Sequence, residues 1–327
     1  MLIGGGWIAI NTATAVMSFV ALILFGRILN QFEIKNKALL LVTFAFIPII
    51  WINSTITMDY MWALAFILLA CFFIFTGRYS LAGIAIGFAI GTRFTSLLMV
   101  IPLVYWMYVK KVNIPDFQKF ISTGILTSAL IFLPVLHKYG LEFLQGSGFM
   151  STTPVRESID SITNSILLSS INSISEITGF LAFVLILVLM LLYKKSFPVT
   201  KNQHLLNFCW MVLILYGILY FIFPYKVAYL IPVIPWGLII LNEKLHKIHL
   251  VIICILLILN NIISIGIVVD DPYKLGIDSG TTIKNFNERK VFGINQSREY
   301  LESLSTILKE EGNFTVDKQT IKPDKGG

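Results

Sequence analysis

DYMWALAFILLACFFIF (59–75), GRYS (77–80) and LAGIAIGFAIGTRFTSLLMVIPLVYW (81–106) form the stretch whose reading decides the fold. An acid, Asp59, opens the first apolar run, and Arg93 interrupts the second. A charge at the centre of a bilayer costs about 2.5–3.5 kcal/mol on insertion scales, so ionisable groups in such runs are functional candidates by default. Within the second run Gly83, Gly87 and Gly91 recur every four residues and line one face of a helix. That is the small-xxx-small pattern of closely packed membrane helices; room for a lipid tail is the functional alternative.

The rest of the chain has the same character. Of its 327 residues 56% are hydrophobic and 13% charged, and mean hydropathy is +0.81. A soluble domain cannot bury so much apolar surface, so the composition predicts an all-α, polytopic transmembrane helical bundle. Ten hydrophobic segments fall at about 7–29, 38–54, 58–76, 81–93, 94–109, 120–136, 178–193, 205–223, 226–241 and 249–268. The short pair around Arg93 predicts a tight hairpin or a broken helix. Cys71, Cys209 and Cys254 all lie in apolar runs, with neither disulfide nor metal-ligand spacing. The start, MLIGGGWIAI, does not resemble a cleaved signal peptide.

The net charge of +7 reads as topology rather than as a nucleic-acid footprint. Alternate loops carry twelve basic residues, from Arg27, Lys35 and Lys37 through Arg78 and Lys110 to Lys244 and Lys247. The opposite set, before the tail, holds Arg93, Lys138, Arg156 and Lys226. The positive-inside rule makes the first set cytoplasmic. Asp59, Arg93, the 137–177 loop, Lys226 and the C-terminal tail are then extracytoplasmic. The predicted organisation is a membrane domain at 1–268 that includes this loop, followed by a tail at 269–327. In the tail, SREYLESLSTILKEE has the apolar spacing of an amphipathic helix.

Three places can carry chemistry. Asp59 is either an acid stabilised by the dipole of the helix it starts, or a carboxylate for a metal ion or polar substrate. Arg93 is either a cation reaching the interface or a fork for an anion, with the hydroxyls of Thr92, Thr95 and Ser96 beside it. In FPYKVAYLIPVIPWGLIIL (223–241), Lys226 is a second external cation before a helix bent at Pro232 and Pro235, with Tyr225 and Tyr229 assigned to the aromatic belt. In the long loop, Arg156 and Glu157 of TTPVRESID are the candidates. His204, His246 and His249 lack ligand spacing, and no Walker, dinucleotide or GxSxG motif is present.

Taken together, the external acid, the GxxxGxxxGTR of 83–93 and the later basic residue with YLxPxxP of 229–235 resemble the integral-membrane type C (GT-C) glycosyltransferases, the superfamily of protein mannosyltransferases and the aminoarabinose transferase of lipid A. The resemblance spans most of 7–268. It implies an enzyme that moves a sugar from a polyprenyl-phosphate donor to a glycan, lipid or protein acceptor at the outer face of a prokaryotic plasma membrane. It further implies that Arg93 and Lys226 hold the donor phosphate. No nucleic acid is implied as partner. A divalent metal at Asp59 is the one cofactor left open.

That family has an earlier helix and a first external loop whose acid is the catalytic base. This sequence starts at what resembles the second helix, and upstream of Asp59 only Glu33 is acidic. Three explanations stand: a chain shortened at its N-terminus, a shortened relative that no longer catalyses, or Asp59 itself as base. Two rival functions fit the same spans. A lipid-linked glycan polymerase or ligase would centre on Arg156. A non-enzymatic flippase or transporter of lipid-linked sugars would need polar groups near mid-membrane, where Asn260 and Asn261 lie.

Overall fold

The computed structural model describes residues 6–55, 59–140, 202–222, 227–269, 314–316 and 321–323. The chain divides into two units, Met1–Ile258 and Leu259–Gly327. Within the second, the described residues include two short strands, β1 (Phe314–Val316) and β2 (Ile321–Pro323), paired antiparallel with Thr315 opposite Lys322. The expected amphipathic helix around 297–311, the 178–193 segment, and Arg156, Glu157 and Lys226 lie outside the described residues.

Elsewhere the described chain is helical. Its helices are α1 (Gly6–Gln31), α2 (Lys37–Phe46), α3 (Pro48–Ser54), α4 (Tyr60–Phe75), α5 (Tyr79–Thr92), α6 (Val100–Val109) and α7 (Ile114–Tyr139). After the 141–201 interval come α8 (Gln203–Ile222), α9 (Ile234–Lys244) and α10 (Lys247–Val269). Two 3₁₀ turns, Phe94–Met99 and Val227–Val233, precede α6 and α9. Among the described residues three helices are long and apolar enough to cross a membrane: Ala9–Gln31, Ile114–Lys138 and Gln203–Tyr220. The pair α2 and α3 would make a fourth if taken as one bent span.

The 38–54 segment is therefore not one straight helix. It bends by 64° between Phe46 and Pro48. A proline forces the residue before it out of the helical region, and Ile47 accordingly sits at φ −62°, ψ 127°. The segments on either side of Arg93 are also separated, as a broken helix. Arg93 is extended, at φ −145° and ψ 117°, between the end of α5 and the 3₁₀ turn that leads into α6.

Helix α4 is the centre of the first unit. It is apolar all round, and Met61, Leu64, Ala65, Ile67, Leu68 and Cys71 are buried, as expected of a helix enclosed by neighbours. It packs between α1 and α5, and α5 packs in turn on α7. The glycine stripe explains that last contact. A Cβ on Gly83 would collide with the Phe120 carbonyl and the Thr123 hydroxyl. One on Gly87 would lie 2.6 Å from Thr127 Cβ, and one on Gly91 2.5 Å from Ile131 Cγ2. Helix α7 fills the groove, so packing, rather than a lipid tail, accounts for the stripe. Threonine and serine on α7 add polar ties: Thr123 Oγ1 lies 3.1 Å from the Ser80 carbonyl, and Ser128 Oγ 3.4 Å from that of Gly87. Helix α7 begins on a cap, with the Asn113 side chain accepting from the Asp116 amide at 3.0 Å. Its other face is bare: Ile125, Leu126, Leu130 and Leu133 are all exposed. An unpaired apolar face of this kind is what a helix presents to lipid.

One end of the first unit is closed by aromatic rings. Phe32, Phe75, Trp106, Phe208 and Trp236 meet edge to face, with centroids 4.7 Å apart for Phe75–Trp106 and 4.8 Å for Phe208–Trp236. Five segments are joined there. The chain reversals nearby are held by amides: Gln31 donates to the Phe75 carbonyl at 2.7 Å, Asn202 to that of Phe32 at 3.0 Å, and Asn36 to Asn242 Oδ1 at 3.1 Å. Phe75 ends α4, and Asp59 precedes its first residue. At 1.5 Å per residue the two ends of α4 lie about 22 Å apart. The aromatic closure and the candidate site thus occupy opposite ends of α4.

Candidate functional site

Three backbone features bring the site together. The first is the start of α4, where Asp59 holds the N-cap position and its carbonyl accepts the Ala63 amide at 3.0 Å. The second is the break after α5. There the Arg93 amide closes α5 on the Ala89 carbonyl at 2.8 Å, and its carbonyl opens the next turn by accepting the Ser96 amide at 2.9 Å. The third is the 3₁₀ turn Val227–Val233, which carries Tyr229 and Pro232.

The side chains converge on Arg93. Its Nη1 donates to Asp59 Oδ1 at 2.6 Å. The guanidinium carbon lies 3.7 Å from the centroid of the Tyr60 ring and 5.6 Å from that of Tyr229. Stacking of this kind is worth about 0.5–2 kcal/mol depending on desolvation. The arginine is thus clamped between two aromatic rings and is 17% exposed, whereas Asp59, the outer partner, is 44% exposed. A pair so open to solvent adds at most about 1 kcal/mol to stability, so its arrangement is better read as a device for holding charge than as a fastener.

A cleft opens beside the guanidinium, lined by Tyr60, Arg93, Thr95, Ser96, Tyr229 and Pro232 among others. It has room for about one water molecule. Ser96 stands in its wall and is 2% exposed.

The two charges that stand out in the sequence are therefore brought into contact, 34 residues apart in the chain. Asp59 starts α4, and its carboxylate makes no capping hydrogen bond; it is held by Arg93 instead. Tyr60 and Tyr229 occupy the sides of the small cleft. Of the three hydroxyls named beside Arg93, Thr92 donates to the Phe88 carbonyl at 2.8 Å, while Thr95 and Ser96 face the cleft. Tyr60 was not among the sequence candidates, and Tyr229 was assigned to the membrane interface. Their signal was adjacency: Tyr60 follows the acid, and Tyr229 sits in the proline-bearing segment. Among the described residues no group of three or more His, Cys, Asp or Glu side chains could hold a metal ion. Cys71, Cys209 and Cys254 are buried and free.

The fold and the site define a helical protein with several helices apolar enough for a membrane and a clamped arginine–carboxylate pair at one end of its central helix. Comparison with protein families, with characterised proteins and with solved structures finds no match for this chain.

Proposed function

We propose that this chain is a polytopic membrane glycosyltransferase that uses a polyprenyl-phosphate sugar donor at the extracytoplasmic face. The single observation that carries the reading is the convergence of Asp59, Tyr60 and Tyr229 on Arg93, beside a small cleft. An arginine with a planar fork suits a phosphate group, and a carboxylate beside it suits an acceptor hydroxyl. In this reading all ten apolar segments belong to the membrane domain. The positive-inside distribution puts the aromatic closure at the cytoplasmic side and the cleft at the outer edge, where a lipid headgroup lies.

The chemistry is a displacement at the sugar's anomeric carbon. The acceptor hydroxyl loses its proton and forms the new C–O bond. The bond from the anomeric carbon to the phosphate oxygen breaks, and polyprenyl phosphate leaves with the electron pair. Negative charge grows on the phosphate as that bond breaks, so a fixed cation there lowers the barrier more than it strengthens substrate binding. Arg93 has that role, with Lys226 as its expected helper three residues before Tyr229. Asp59 receives the acceptor's proton through the carboxylate oxygen that Arg93 does not hold.

The test is transfer by the full-length chain in proteoliposomes, supplied with radiolabelled polyprenyl-phosphate hexoses and scored by release of polyprenyl phosphate. Loss of one preorganised charge-stabilising donor costs about 10²–10³ in rate, so Arg93→Ala should be slower by that factor. Arg93→Lys should recover part of it. Wild-type release that Arg93→Ala leaves unchanged would remove the reading. Passage of intact donor across the bilayer without release would favour a flippase.

A further inference from the structure

We propose that the end of the first unit where α6 turns into α7 is a site for one anionic phospholipid, with its headgroup phosphate among Arg78, Lys110, Lys111 and Lys119 and an acyl chain along the bare face of α7. The proposal takes that face as lipid-facing, and it is independent of the chemistry assigned to the Arg93 cleft.

Charge comes first. Helices α5 and α7 run parallel, since Gly83, Gly87 and Gly91 meet Phe120, Thr127 and Ile131 in that order. The Ser80 carbonyl accordingly accepts from Thr123 Oγ1. Arg78, two residues earlier, therefore stands level with the first turns of α7, which carry Lys119. Lys110 and Lys111 occupy the reversal that leads into α7, and all four cations are exposed. From Thr76 to Lys119 the sequence holds one acid, Asp116, and Lys119 takes it at 2.8 Å. Among the described residues Arg78, Lys110 and Lys111 form no ion pair.

The lysines of the reversal are also held in place. The Lys111 amide donates to the Tyr108 carbonyl at 3.0 Å, and the Val112 amide to that of Met107 at 3.1 Å. This closing pattern ordinarily puts glycine at its left-handed residue. Here that residue is Lys111, at φ 51°, so a charge is kept where glycine would fit with less strain. Lys110 Nζ lies 5.3 Å from the centroid of the Trp106 ring, which the aromatic closure fixes.

Apolar groups surround these cations. Tyr108 is 81% exposed and Ile114 73%, the mixture of ring, aliphatic chain and lysine that suits a headgroup boundary. Leu126, Leu130 and Leu133 lie at i+7, i+11 and i+14 from Lys119, so one line of exposed side chains runs along α7 from that lysine. Its length is about 21 Å, more than the roughly 15 Å of hydrocarbon in one leaflet. Charge complementarity selects the occupant. A phosphodiester with no compensating amine matches the unpaired cations. A second copy of this chain, side by side in the membrane, would set the same cations against each other.

The experiment titrates the full-length protein in maltoside micelles with dioleoyl phosphatidylglycerol and, separately, with dioleoyl phosphatidylcholine, and counts bound lipid by native mass spectrometry. The wild type should bind phosphatidylglycerol at least about tenfold more tightly, and Lys110→Gln and Lys111→Gly should each weaken that binding about fivefold. Lys111→Gly should unfold at the wild-type temperature or above, so its lost binding is not lost folding. Should it misfold, the double variant Arg78→Gln/Lys110→Gln replaces it, with an expected loss of about twenty-five-fold. Lys35→Gln, in the α1–α2 turn at the same end, removes an equal charge and should leave binding unchanged. Equal binding of the two lipids, wild-type binding by folded Lys111→Gly or by the double variant, or an equal loss in Lys35→Gln would refute the site. Displacement of the lipid by an equal concentration of glycerol 3-phosphate would overturn the role of the α7 face, and protein dimers retained in place of lipid would assign that face to a second copy.

Discussion

Gly83→Ala is the substitution whose cost can be worked most directly from the structure. In an isolated helix the change would help, since glycine costs about 1 kcal/mol relative to alanine. Here the added methyl lands on the Phe120 backbone carbonyl and the Thr123 hydroxyl of α7. A carbonyl cannot rotate away, so α5 and α7 must part. At Gly87 the tightest contact is 2.6 Å, to Thr127 Cβ, so the helices must open by roughly 0.8 Å to restore ordinary contact. A gap of about 0.5–1 Å forfeits a quarter to a half of the dispersion energy of every atom pair along the interface. Overpacking of this order costs about 1–3 kcal/mol. The predicted order of destabilisation is Gly83→Ala, then Gly87→Ala, then Gly91→Ala, where the obstacle is only the Ile131 side chain. Gly217 on α8 and Gly237 on α9 are the controls: a Cβ at either meets nothing within 4 Å. Alanine there should leave stability unchanged or raise it by up to about 1 kcal/mol. The assay is unfolding of the purified protein in mixed micelles with rising dodecyl sulfate, followed by fluorescence of its six tryptophans. Gly83→Ala unfolding with the wild type, or together with Gly217→Ala, would refute the close α5–α7 contact.

Other outcomes follow from single contacts. Asn113→Ala removes the cap of α7 and should cost about 1 kcal/mol in the same unfolding assay, with Asn113→Asp nearly neutral. Thr14→Val breaks the 3.1 Å hydrogen bond from Trp62 Nε1 that joins α1 to α4; interhelical bonds of this kind average about 0.6 kcal/mol, and a loss above about 2 would contradict it. Trp236→Ala empties the centre of the aromatic closure, where the ring is fully buried, and should cost about 3–5 kcal/mol. If the proposed orientation is right, a cysteine at Thr55 should react with an impermeant maleimide from outside intact cells and one at Thr76 only after lysis. The reverse pattern would invert the topology.

These contacts also mark what could be read from residue order. The stripe Gly83, Gly87 and Gly91 was legible as a packing face because a four-residue period of glycines is a local property. Its partner was not: Gly124, Thr127 and Ile131 of α7 become a matching surface only when α7 returns alongside α5. The break at Arg93 was half legible, since a charge in an apolar run must reach an edge. The bend at Pro48 was missed because hydropathy continues through it, although a proline after Ile47 is a local signal for a boundary. In the candidate site the two charges stood out against apolar surroundings. The rings of Tyr60 and Tyr229 did not, because aromatic residues are common at the ends of membrane helices for reasons of solvation alone. The pairing of Asp59 with Arg93 is a property of two segments meeting and has no signature in either of them.

The central claim is that a lipid phosphate enters the cleft between α4, the Phe94–Met99 turn and the Val227–Val233 turn. The most direct measurement is photolabelling of the full-length protein in liposomes with a polyprenyl phosphate bearing a diazirine on its first isoprene unit, followed by mass-spectrometric mapping of the labelled peptides. The account predicts labels on peptides containing Tyr60, Thr95 or Tyr229, suppressed by excess unlabelled polyprenyl phosphate and by Arg93→Gln. Labels confined to the bare face of α7, and indifferent to both competitor and substitution, would contradict it.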